Sequence, residues 1–159
     1  MTGVARSHET LRSSALYCLR IKEKAGLSQP FSTVLEDRKH SIIYIGIASQ
    51  SLRKRLNQEI RAKGHCTFFR SIGAVLGFTP LQGSLVGKLN QNNYKFSKID
   101  EKKIITWINE ILMVNWVSFE ENLAGIEILL LQMHSTLLNI AGNPGALEEI
   151  RQLRETCKI

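Results

Sequence analysis

Ser41–His65 reads SIIYIGIASQSLRKRLNQEIRAKGH. Ile42, Ile43, Tyr44 and Ile45 form a β-branched and aromatic run, the composition of a strand. Gly46 ends that run and leaves room beside the backbone. Ser49 or Ser51 can cap a helix. The helix is expected over Leu52–Ala62, with Leu52, Leu56 and Ile60 spaced i, i+4 and i+8 on one face. The same helix carries Arg53, Lys54, Arg55 and Arg61, and Lys63 and His65 follow its end. A strand therefore delivers Tyr44 to the foot of a basic helix. Several guanidiniums beside a tyrosine and a histidine suit a phosphodiester backbone.

The charge distribution agrees. The 159-residue chain has a formal net charge of +7 and is 43% hydrophobic, which fits one domain with a real core. Residues 1–70 carry a net +8 and residues 71–159 a net −1. The excess lies on the half with the arginine helix, and it points to an anionic partner. The three cysteines, Cys18, Cys66 and Cys157, form no CxxC pair, which argues against a disulfide framework or a zinc knuckle. Cys18 alternates with Tyr17 and Leu19 and is expected in the core. The opening MTGVARSHETLRSS lacks the apolar run of a signal peptide. No apolar stretch reaches the ~18 residues of a membrane span. The expectation is a cytoplasmic protein with no membrane partner.

Working outward, residues 14–21 read as a first strand that pairs antiparallel with Ser41–Ala48. Residues 22–40 read as a long hairpin connection, with a minor strand near Phe31–Leu35. CTFFRSIGAVLG, residues 66–77, reads as a helix ended by Gly77. Arg70 on it either contacts phosphate or is a solvated charge. Residues 78–99 read as loop, with Tyr94–Phe96 extended. Asp100 is the expected cap of a helix over Glu101–Leu112, whose stripe Ile104, Trp107, Ile108 and Ile111 belongs to the core. Met113–Phe119 alternates as a third strand. A helix over Glu120–Gln132 is expected to bury Ile126, Leu129, Leu130 and Met133. Glu127 is the odd residue there. A carboxylate among apolar neighbours is costly unless it faces out, is paired or binds metal. Asn143-Pro144-Gly145 is a turn, and ALEEIRQLRET forms a last amphipathic helix on Leu147, Ile150 and Leu153. The predicted class is α+β, a small three-stranded, mostly antiparallel sheet flanked by helices.

Tyr44-Ile45-Gly46 followed by Arg55 resembles the second half of the GIY-YIG nuclease motif. Ala15-Leu16-Tyr17 stands where the first triplet belongs and keeps its tyrosine. His65, Glu127 within GIEILLLQMH, Asn139 within Leu137–Ile140, and FFRSIGAVLG also resemble family elements in their order, as found in small stand-alone bacterial members. The resemblance runs from about Ala15 to Pro144. Ala15, Leu16 and Thr136 depart from the pattern, the last where members often have a proline.

The resemblance implies a leader over residues 1–13, a nuclease domain over 14–144 and a C-terminal helix over 145–159 packed on it. It implies a metal-dependent endonuclease acting on DNA, with Glu127 holding a single Mg2+, or Mn2+ in its place. Arg55 would bind the scissile phosphate, with Arg53 as its competitor. Tyr17 would be general base or water-positioner, its pKa lowered by Arg55 and the metal. Tyr44 and His65 would orient water and phosphate, and Asn139 would orient the site or contact the backbone. Arg53, Lys54, Arg61, Lys63 and Arg70 would bind flanking phosphates. A homodimer would suit double-strand cutting, because one such site cuts one strand at a time. The other readings are a catalytically silent nucleic-acid-binding module and an interaction subunit with the same fold.

Overall fold

The computed structural model describes residues 12–22, 26–63 and 66–158. Three strands form one sheet: β1 (Ala15–Ile21), β2 (Ile42–Ala48) and β3 (Leu112–Ser118), in the order β2-β1-β3, with both pairings antiparallel. The alternation in β1 sets its two faces. Ala15, Tyr17, Leu19 and Ile21 are buried, and the residues between them are half-buried. Cys18 lies on that second face, so it is only partly withdrawn from solvent rather than a core residue. In register, Tyr17 faces Gly46 on β2 and Trp116 on β3. Central β1 thus places its tyrosine between its two neighbours.

Six helices accompany the sheet among the described residues: α1 (Phe31–Asp37), α2 (Leu52–Ile60), α3 (Thr67–Val75), α4 (Lys98–Ile111), α5 (Leu123–His134) and α6 (Glu148–Thr156). Helix α1 replaces the minor strand expected at Phe31–Leu35. Phe31 and Leu35 are both buried. They lie one helical turn apart, and a strand would have left the intervening apolar Val34 on its opposite face. Ser51 caps α2, accepting from the Lys54 N–H at 3.3 Å. Helix α3 is buried from Phe68 to Val75 and packs on α6. Gly77 closes it with a φ of +84°, where the Gly77 and Phe78 N–H groups donate back to Ala74 and Gly73.

The start of one helix shifts, and so does the buried face of another. Ser97, not Asp100, caps α4. Its hydroxyl accepts from the Asp100 N–H at 3.1 Å and donates to the Asp100 carboxylate at 2.8 Å, so the acid at the third helical position is tied to the capping side chain. Helix α5 also buries a different face from the one expected. Leu131 is buried, whereas Leu129 and Met133 are 57% and 74% exposed. The helix packs along β2 and β1 with one narrow side. It is apolar nearly all round, so periodicity could not select that side.

One buried cluster joins Tyr17, Tyr44, Phe68, Ile72, Ile104, Ile150 and Cys157. The last helix therefore shares the core of the sheet. No helix among the described residues is long and apolar enough to cross a membrane.

Candidate active site

The site begins with Tyr17 and Gly46. The Tyr17 ring lies over Gly46, and a Cβ added there would sit 2.5 Å from the hydroxyl oxygen and 2.6 Å from Cζ. Only glycine admits the ring. The space that Gly46 leaves is thus filled by Tyr17. Helix α2, started by Ser51 just beyond β2, lays Arg55 across this hydroxyl. Arg55 Nε donates to Tyr17 Oη at 3.2 Å. Arg55 Nη2 pairs with Glu59 Oε1 at 2.5 Å, one turn further along the helix. The Tyr17 hydroxyl donates to the same Glu59 oxygen at 3.3 Å. Arg55, not Arg53, reaches the tyrosine. The expected Arg53 competitor is exposed.

Tyr44 stands beside this group, its ring 6.4 Å from that of Tyr17 and 5.3 Å from that of Phe68. Burial pushes both phenols well above the usual tyrosine value. For Tyr17 the charge of Glu59 adds to that rise, and the opposing pull of Arg55 is smaller. Arg55 by itself therefore does not bring the Tyr17 pKa below the usual value, the effect expected of Arg55 and the metal together. The hydroxyl is held neutral. Arg55 itself is held more firmly protonated: burial works against its charge, but Glu59, Tyr17 and Tyr44 together outweigh burial.

Glu127 is half-buried in α5. Burial raises its pKa, and the field of Arg55 works against that rise. Its own charge reaches Tyr44. The carboxylate therefore belongs electrostatically to the Tyr44–Arg55 group. No cluster of three or more His, Cys, Asp or Glu residues suited to a metal occurs among the described residues. A hydrated Mg2+ keeps several waters and takes one or two carboxylates. Glu127, a single half-buried carboxylate not engaged by Arg55 as Glu59 is, fits such an ion.

Asn139 is buried and committed to the backbone. Its Oδ1 accepts from the Ile45 N–H at 2.9 Å, and its Nδ2 donates to the Ile45 carbonyl at 2.8 Å. Thr136 Oγ1 donates to Asn139 Oδ1 at 2.7 Å. Asn143 Nδ2 holds the Thr136 and Asn139 carbonyls at 2.7 and 2.9 Å. Thr136, the departure from the expected proline, supplies a hydroxyl to this network.

Arg53, Lys54, Arg61 and Lys63 are exposed. Arg53, Lys54 and Lys63 border an open depression of about 480 Å³ with Arg12, Asn57 and Gln58. Arg70, offered as a phosphate contact, is 8% exposed. It donates through Nε to the Tyr94 carbonyl at 3.0 Å, and its guanidinium lies 5.9 Å from the Tyr94 ring. It is packing, not surface charge. His65 lies outside the described residues. Glu59 escaped the sequence reading. Its signal was present, an acid seven residues beyond Leu52 and so on the apolar stripe of α2.

A tyrosine, an arginine and a carboxylate gathered on a small antiparallel sheet, beside an exposed basic edge, define a nuclease-type domain. A family model described as the GIY-YIG catalytic domain matches residues 15–156, from the first residue of β1 to the last of α6, and the chain belongs to that family. Membership makes it a hydrolase of the endonuclease kind in general. Comparison with curated proteins and with solved structures returned no match.

Proposed function

We propose that this protein is a metal-dependent endonuclease that hydrolyses DNA phosphodiester bonds through a single-metal site. The observation that carries the reading is the Arg55–Tyr17 contact at 3.2 Å beside an exposed run of cations. An arginine oriented within a buried polar group, with its side chain still a third exposed, can grip a scissile phosphate and stabilise the charge that develops on it. Arg53, Lys54, Arg61 and Lys63 would hold neighbouring phosphates and fix the strand in register.

Glu127 would hold the Mg2+, or Mn2+, which when bound supplies positive charge to the phosphate and acidifies water. Tyr17, kept neutral, suits water positioning better than proton abstraction. Tyr44 would help to orient the phosphate, and His65 would relay a proton. Asn139 supports the site through the backbone of β2. One site cuts one strand at a time, so a double-strand break takes two visits or a second copy of the chain.

The test is plasmid cleavage with Mg2+, with EDTA, and with Glu127→Ala protein. Relaxation or linearisation that requires Mg2+ and is lost in the variant is the expected result. Salt-dependent binding without cleavage across several metals and DNA structures would favour a silent binding module instead. Neither cleavage nor binding would favour an interaction subunit.

A further inference from the structure

We propose that Glu59 is a positioning residue of this site, clamping the Arg55 guanidinium and the Tyr17 hydroxyl so that Arg55 meets a phosphate already oriented. This rests on the nuclease reading and deepens it.

Glu59 is completely buried. Its Oε1 takes both the Arg55 Nη2 ion pair and the Tyr17 hydroxyl hydrogen bond. With Arg55 Nε on Tyr17 Oη, the three side chains close a ring of contacts. Each link fixes one degree of freedom of Arg55. The pair to Glu59 sets the far end of the guanidinium, and the bond to Tyr17 sets its near end.

Stability alone gives a poor reason for an acid here. The same stripe of α2 holds Leu52, Leu56 and Ile60, and an apolar residue would continue it. Burying a carboxylate is costly even when paired, and exchange of a whole buried ion pair for hydrophobic side chains is often neutral or stabilising. Glu59 Oε2 makes no direct hydrogen bond among the described residues, although Cys66 and the Phe68 N–H at the start of α3 favour the charged carboxylate. A buried acid that breaks the local pattern without stabilising the fold points to a functional demand. Orientation is such a demand, because small misplacements of a phosphate-binding group cost about 100-fold in rate.

The clamp also tempers the charge of Arg55. Pairing with Glu59 makes the guanidinium a weaker general attractor for DNA while leaving its orientation fixed. Loss of Glu59 should therefore spare binding and damage turnover.

Glu59→Gln keeps the shape and one acceptor but removes the ion pair, and Glu59→Leu removes every polar contact. The expected result is a fall in kcat of about 10- to 100-fold in Glu59→Gln, with KM for plasmid DNA changed less than threefold. Glu59→Leu should lose more activity and unfold in urea earlier than the parent, because Arg55 is left without its counter-ion. The second readout needs no substrate. In the parent protein the Arg55 Nε–H should be a discrete resonance protected from solvent exchange, and in Glu59→Gln that protection should fall. A parental kcat in Glu59→Gln would overturn the proposal. So would an unprotected Arg55 Nε–H in the parent. Were the parent to cleave no DNA, the nuclease reading would fail on its own, and the Arg55 resonance would still decide whether the clamp exists.

Discussion

Asn139 pairs with both backbone groups of Ile45, accepting from its N–H and donating to its carbonyl. The pairing lies on the edge of β2 that no strand covers among the described residues, and Leu138 extends it by donating from its N–H to the Ile43 carbonyl at 2.8 Å. A side-chain amide thus does the work of a fourth strand for one residue. Removing it leaves buried backbone groups without partners, each costing about 1–3 kcal/mol. Asn139→Ala should lose about 2–6 kcal/mol in urea denaturation, by the same reckoning. It should also lower cleavage, because β2 carries Tyr44. Unchanged stability would show that the amide is dispensable to the strand.

Gly46 is bound to Tyr17 by space alone. Gly46→Ala puts a methyl 2.5 Å from the tyrosine hydroxyl and forces the ring to move. The expected loss is about 1–3 kcal/mol, as for an overpacked core. A double-mutant cycle with Tyr17→Leu should recover part of it. Thermal melts of the four proteins check this, and strictly additive losses would refute the clash.

Two arginines two residues apart should behave differently. Arg55→Lys keeps a charge but loses the planar fork that spans Tyr17 and Glu59. It should reduce cleavage by about 100-fold or more, as expected when an oriented charge contact is lost. Arg53→Ala should leave the cleavage step intact and reduce the salt slope of DNA binding by about 0.9. Cleavage under saturating DNA and binding across a salt series separate the two.

Arg70 gives the opposite contrast. It is buried against Tyr94, so Arg70→Ala should lower the unfolding midpoint, by about 1–3 kcal/mol for a lost buried charged contact. The salt dependence of DNA binding should stay as it was. A weaker slope with full stability would return Arg70 to the surface.

As the proposed metal ligand, Glu127 would link metal to pH. Burial raises its pKa above the ordinary 4.5. Between that value and the raised one, the folded chain holds a proton that the unfolded chain has released. Stability therefore falls as pH rises through the window. Glu59, raised mainly by burial as well, adds to the decline. In EDTA the melting temperature should drop across this window, and less so in Glu127→Gln. At neutral pH, Mg2+ at ten times its dissociation constant should restore about 1.4 kcal/mol to the parent and nothing to Glu127→Gln.

The sheet was legible because its signals were local. The alternation of Ala15, Tyr17, Leu19 and Ile21 survives as one buried face, and the run from Ile43 to Ile45 is buried throughout. Arg55 was legible because its distance from Tyr44 is set by one strand end and one capped helix start. Helix α1 was missed because seven residues between polar neighbours carry too little period to be told from a strand. The buried side of α5 was illegible because Ile126, Ile128, Leu129 and Leu130 offer apolar surface in every direction. Arg70 and Glu59 were misjudged or overlooked for one reason, that charge by itself predicts exposure. Their partners, Tyr94, Tyr17 and Arg55, are distant in sequence or lie a helical turn away, and only the fold brings them close.

The edge pairing of β2 also orders events in time. The tyrosines and Arg55 are all translated by residue 55, yet β1 takes its second neighbour from Leu112–Ser118, and β2 awaits Asn139. Roughly 90 residues separate Ala48 from that asparagine, several seconds of synthesis at about 5–20 residues per second. Contacts of such long sequence range also form late in folding. A ribosome-bound chain therefore carries the motif long before it carries the site. A nuclease built this way stays inert until nearly its whole length has been made.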